Sequence, residues 1–327
     1  MTRRLRIGAL ALTPIAAGMA GIFVGSVQVP PADLLAALFG GGSALASTIV
    51  ELRVPRVLLA ALVGGGLALA GATFQALLRN PLAEPYILGI SGGAATGAVA
   101  VLALGLTTLG SWALPLAAFA GALLAILLVF GVAASADRRL DVRVLLLAGV
   151  VVGAFFSAAI AMILALAEAR TVRSAVLWMM GSVAGASWSD VGVAAAYTLP
   201  AALILLGLAR PLNLLSVGEE SAAYLGADVE SVKRTAYVVA SLVTAAGVAV
   251  AGVIGFVGLV IPHALRLVVG SDHRVLLPLS LLVGATFLVL ADLGARTLLG
   301  STEIPIGVVT AFVGVPVFLV LLRRSMT

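Results

Sequence analysis

Charged residues divide the chain into long uncharged runs at 7–32, 57–78, 86–136, 144–167, 191–209, 235–262, 275–291 and 304–322. A membrane-spanning helix needs about 20 mostly apolar residues, so each run reads as at least one span. The 86–136 run is too long for one helix and breaks near 105–112, which makes it two. The stretch 235–270 also exceeds one span, but it carries Gly252, Gly255, Gly258 and Pro262 ahead of His263 and Arg266. It reads as a full span followed by a short, interrupted one. Ten spans result, near 7–27, 57–78, 90–105, 113–135, 144–167, 191–209, 233–252, 257–269, 275–298 and 304–323. The expected fold class is an all-α membrane protein, with residues 1–327 forming one transmembrane domain.

Composition sharpens this picture. Of 327 residues, 62% are hydrophobic and 10% charged, against roughly 25% charged in soluble domains. Too few charges remain to coat a soluble surface, which excludes an ordinary globular protein. The net charge of +5 comes without a basic stripe or interleaved aromatics, so nothing points to nucleic acid. Cysteine is absent, which removes disulfides and thiolate chemistry.

The distribution of the basic residues sets the orientation. With a cytoplasmic N-terminus, fourteen Arg and Lys fall inside, and only Arg53, Arg56, Arg170, Arg173 and Arg296 fall outside. That is the expected positive-inside bias, and it places both termini in the cytoplasm. Trp112, Trp178 and Trp188 then lie at the outer interface, where indoles anchor. The arginines before the first apolar run also suit a signal peptide, but the even span count favours an uncleaved first helix.

Small residues four apart, Gly93/Gly97 and Gly149/Gly153, allow close helix approach in lipid. Residues 66–89 align without gaps on 247–270, with eight identities including Gly66, Gly71, Pro81 and Gly89. The two segments would run in opposite directions, as in the inverted repeats of many transporters.

Catalytic signatures are missing: there is no HExxH and no pair of carboxylates on one helix face. His263 and His273 read as polar residues at a cytoplasmic loop end. The only lysine, Lys233, lacks the glycines of a phosphate-binding loop, so any ATP would be bound by another subunit. Asp292 is an intramembrane carboxylate and hence a functional candidate, but Arg296 four residues later can pair with it along a helix. A self-sufficient, ion-coupled secondary transporter using Asp292 is the alternative to a multi-subunit importer.

The polar loop 210–228 is more specific. Glu219 and Glu220 open a short helical stretch, favourable at a helix N-terminus; Ala222, Ala223 and Leu225 give it an apolar face and Gly226 a stop. Such a helix suits a partner's groove.

With this loop, several motifs resemble the FecCD/BtuC family of ABC importer permeases: LRVPR (52–56), QALLRNPLAEPYILG (75–89) with SGGA (91–94), WMMGS (178–182), LNLLSVGEE (212–220), GFVGLVIPHALR (255–266) and IPIGVVTA (304–311). They follow family order along nearly the whole chain. The resemblance implies ten helices per subunit in the type II importer fold. It also implies a second copy of the chain, two cytoplasmic ATPases that bind ATP and Mg²⁺, and an extracytoplasmic binding protein. The cargo would be a ferric siderophore, haem or cobalamin, carried across a bacterial or archaeal inner membrane, with no cofactor or metal held by this chain. By resemblance, Arg53, Arg56 and Arg296 dock the binding protein. Glu219, Glu220, Ala222, Leu225 and Gly226 form the ATPase coupling helix. Asp141, Val142, Arg143, Gly149 and Gly153 belong to the pathway along the fifth span, which the tenth span also lines.

Overall fold

The computed structural model describes residues 3–136, 142–300 and 302–326, and among these every regular element is helical. Fourteen α-helices follow in order: α1 (Arg3–Phe23), α2 (Pro31–Leu38), α3 (Ala44–Leu77), α4 (Ile90–Ala103), α5 (Ala113–Ala136), α6 (Val142–Leu166), α7 (Ala169–Met179), α8 (Trp188–Gly207), α9 (Ala209–Val217), α10 (Glu219–Tyr224), α11 (Val229–Ala251), α12 (Val257–Val269), α13 (His273–Thr297) and α14 (Ile306–Met326). Seven of them, α1, α3, α5, α6, α8, α11 and α13, are long and apolar enough to cross a membrane. Three shorter apolar helices, α4, α12 and the Ile306–Val320 part of α14, complete a set of ten. These match the ten expected spans one for one.

Helix α3 is the axis of the bundle and is buried from Leu59 almost continuously to Leu77. It begins thirteen residues earlier than the hydrophobic pattern predicts, running through Pro55 from a cap at Ser43. The Ser43 hydroxyl accepts from the Ala46 amide. Asp33 of α2 takes both the Ser43 amide and hydroxyl, at 2.9 and 2.6 Å, and these bonds hold its carboxyl below the usual carboxylate range. Arg53 and Arg56 therefore stand on a helix, not in a loop.

Glycine governs how closely the helices approach. A Cβ on Gly64 would overlap the Gly284 carbonyl of α13, and one on Gly71 the Gly258 carbonyl of α12. Gly93 and Gly97 of α4 sit in the same way on Gly121 and Ala117 of α5. In lipid, where apolar burial gives no drive between helices, such backbone proximity supplies dispersion and weak Cα–H···O contacts.

The interrupted span is a helix–extended–helix unit. Thirteen residues of α12 rise only about 20 Å, short of the ~30 Å hydrocarbon core. The irregular 252–256 segment supplies the remaining length. Its exposed backbone groups find side-chain partners: Glu84 accepts the Phe256 amide at 2.7 Å, and the Tyr86 hydroxyl contacts both the carbonyl and the amide of Ile254. Gln75 donates to the carbonyls of Gly258 and Leu259 and accepts from Arg266 at 2.6 Å. Non-helical backbone at this depth survives only when so satisfied. The ungapped register 66–89 on 247–270 pairs helical 71–75 with this irregular 252–256 stretch. The two segments nonetheless pack directly on one another, through Gly71, Gln75 and Gly258.

Chain direction gives the bundle two ends. The end of α1, the starts of α3 and α8, and the ends of α7 and α13 share one, with all three Trp; it is called the Arg56 end. The starts of α11 and α13 share the other with α9 and α10, the Glu219 end.

Candidate functional site

At the Arg56 end five ionisable side chains converge from three elements. Arg56 donates through Nε to Asp292 at 2.9 and 3.2 Å, and through Nη1 and Nη2 to the two oxygens of Glu303 at 2.9 and 3.0 Å. Asp292 also contacts Arg296 one turn along α13, at 3.3 Å. That is the i,i+4 pair expected from the sequence. Arg296 donates as well to the Gly21 carbonyl, and Arg53 donates to the carbonyls of Ile22 and Val27 at 2.9 and 2.7 Å. The two buried arginines thus close the frayed end of α1, whose last carbonyls lack intrahelical donors.

The three arginines named from sequence are therefore brought together, but in different situations. Arg53 and Arg296 are buried and spend their donors within the chain. Arg56 reaches the surface, with its side chain 12% exposed beside a 45% exposed Glu303. Asp292, 2% exposed, is gripped by two guanidinium groups, an anchor for the end of α13. The cluster holds three positive charges against two negative ones.

At the Glu219 end the expected short helix is present. Gly218, at φ +139°, separates α9 from α10, and Gly226, at φ +85°, ends α10 with Ala227 donating back to the Ala222 carbonyl. Its residues divide by direction. Ala222 is fully buried, and Glu219 pairs with Lys233 of α11 at 3.1 Å and lies 3.8 Å from Arg79. These hold α10 to the body. Glu220 is exposed, and Leu225 and Tyr224 are 66% and 92% exposed. Tyr224 is not singled out by the sequence; its position beside Leu225, ahead of the glycine stop, is the signal that marks it.

Helix α9 is fastened to the start of α13 by one side chain. The Asn213 carbonyl oxygen accepts from the His273 amide at 2.9 Å and faces His273 Nδ1 at 2.7 Å, while its amide donates to the α13 cap, Asp272, at 2.7 Å. Helix α13 thus links the 210–228 loop to Asp292 and Arg296 at the far end.

Along α6, Gly149 and Gly153 face neighbouring chain. A Cβ on Gly149 would lie 2.6 Å from the Ile87 carbonyl, and Gly89 sits against both glycines. Their place is in the packing of α6 on the 85–89 turn. Val142 is half-buried and Arg143 exposed; Asp141 lies outside the described residues. The face of α6 bearing Leu147, Val150, Val151 and Phe155 is exposed, as are Phe312, Val313 and Val315 of α14.

Comparison with known proteins agrees with this architecture. Residues 12–324 match the FecCD transport family. The chain is 46% identical over 286 residues to the cobalamin import system permease protein BtuC of Halobacterium salinarum, covering 87% of this chain and 76% of that protein. It is 41% identical over 317 residues to the vitamin B12 import system permease protein BtuC of Salmonella typhimurium, covering 97% and 94%. A solved structure described as an inward-facing conformation of a metal-chelate type ABC transporter superposes with a TM-score of 0.87 at 31% identity, over 98% of this chain and 99% of that one. The chain belongs to the FecCD transport family and is a multi-pass membrane permease of the ABC-importer class.

Proposed function

We propose that this chain is the permease of a binding-protein-dependent importer for cobalamin. The observation that carries the substrate is the 46% and 41% identity to cobalamin and vitamin B12 import permeases over 87% and 97% of the chain. Two copies pair across the apolar faces of α6 and α14, and the pathway runs between them; exposed valine, leucine and phenylalanine on both helices support this, since a bulky chelate passes apolar walls without being held. Two ATPase subunits carry ATP and Mg²⁺ and seat on α10. Glu220, Tyr224 and Leu225 face them, while Glu219, Ala222 and the Gly226 stop hold the helix in place. The Arg56 end faces outward, where Arg56 receives an acidic side chain of the binding protein and Arg53 and Arg296 fix the surrounding helix ends. Both termini and α10 are cytoplasmic, in keeping with the excess of basic residues on that side.

Uptake tests the substrate. Cells lacking their own cobalamin permease, supplied with this chain, its ATPase and its binding protein, are expected to accumulate labelled cobalamin. Excess unlabelled cobalamin should abolish the label, whereas haem and a ferric siderophore should not. Competition by haem or siderophore but not by cobalamin would reassign the cargo.

A further inference from the structure

Glu303 is the one acid of the Arg56 cluster that is not locked in. Asp292 is buried between two arginines. Glu303 is 45% exposed, stands beyond the end of α13, and has its carboxylate held by Arg56 alone among the described residues. The pair borders a cleft of about 200 Å³ lined by Arg56, Asp292, Ser182, Ala184, Glu303 and Pro305. That is room for one more acidic side chain beside the guanidinium. The fork of Arg56 fits any carboxylate equally well, and an ion pair at this degree of exposure exchanges partners readily.

The residues after Glu303 are tied to α13 and to the turn that follows α7. The Ile304 amide donates to Ala295 of α13, Ile306 to Gly181 just after α7, and Gly307 of α14 to Met180, at 3.0, 3.1 and 3.0 Å. A change at Glu303 is therefore felt where α14, a proposed pathway helix, begins.

We propose that Glu303 is an internal placeholder for the binding protein's acidic side chain. It occupies the Arg56 fork while the site is empty, and docking exchanges one carboxylate for the other. The charge of the cluster is then the same before and after docking, and the displaced Glu303 removes one of the ties on the segment that leads into α14. This inference rests on the docking reading of Arg56.

The test is the affinity of the purified permease–ATPase complex, in nanodiscs, for the extracytoplasmic binding protein that stimulates its transport. A competitor's removal should strengthen binding: Glu303→Gln is expected to tighten Kd by about fivefold, the upper end of what an ion pair with a solvent-exposed partner is worth. The gain should vanish when Arg56→Lys is added, because lysine keeps the charge that Asp292 needs and loses the fork. Glu51→Gln, which removes an exposed acid at the same end, should change little. Weaker or unchanged binding by Glu303→Gln overturns the inference, and so does an equal gain from Glu51→Gln, which would mean a general field effect. If Arg56→Lys alone leaves Kd unchanged, the docking reading itself fails. If Arg56→Lys weakens binding but Glu303→Gln does not strengthen it, docking stands and the placeholder does not.

Discussion

Asp292 shows how a costly residue is kept. A carboxylate within a span is tolerated when paired, and here both its oxygens face guanidinium groups of Arg56 and Arg296. Asp292→Asn leaves Arg296 without a counter-charge, which is expected to lower stability by about 3 kcal/mol, read as a lower melting temperature in detergent. Combining it with Arg296→Met should recover much of that loss, because replacing a buried pair by neutral groups costs far less than breaking it. Failure of the double change to recover stability would place the loss in the other contacts of the pair, the Arg56 guanidinium held by Asp292 and the Gly21 carbonyl capped by Arg296. The i,i+4 spacing makes the Asp292–Arg296 contact legible in the sequence. The Arg56–Glu303 contact is not, because 247 residues separate the partners and no local pattern links them.

Among the elements, the spans were the most legible part, since twenty apolar residues between charges leave few alternatives. The upstream part of α3 was hidden because Glu51, Arg53 and Pro55 look like loop residues; the partners that Arg53 and Arg56 find on α1 and α13 make helix the better state. Glycine contacts give a sharp contrast within one helix. Gly121 of α5 meets the Gly93 carbonyl, whereas a Cβ added at Gly131 would have nothing within 4 Å. Gly121→Ala should push α4 and α5 apart and cost about 1–3 kcal/mol. Gly131→Ala should be neutral or slightly stabilising, by up to about 1 kcal/mol, from helix propensity. Thermal melts of the two variants check the difference. For α10, the start and stop are readable from the glutamates and Gly226, but the orientation is not, because it depends on Lys233 and the fully buried Ala222. Tyr224→Ala with Leu225→Asp should abolish co-purification of the ATPase without lowering the yield of the permease. Undiminished co-purification would place the ATPase contact elsewhere.

Taken as one body, the permease is a two-ended device. Helix α13 carries the Asn213 junction at its start and the Asp292–Arg296 pair at its end, one continuous helix of about 38 Å at 1.5 Å per residue. The route from α9 to the arginine cluster therefore runs along one helix without an intervening loop. In the proposed function such a device moves its cargo only when a partner ATPase drives it. Substrate uptake into proteoliposomes tests this, with the chain and its ATPase subunits in the bilayer, the binding protein and cobalamin outside, and ATP with Mg²⁺ inside. Uptake should require ATP and the binding protein and persist when a protonophore collapses the ion gradient. Uptake by this chain alone, independent of ATP and abolished by the protonophore, would contradict an ATPase-driven importer.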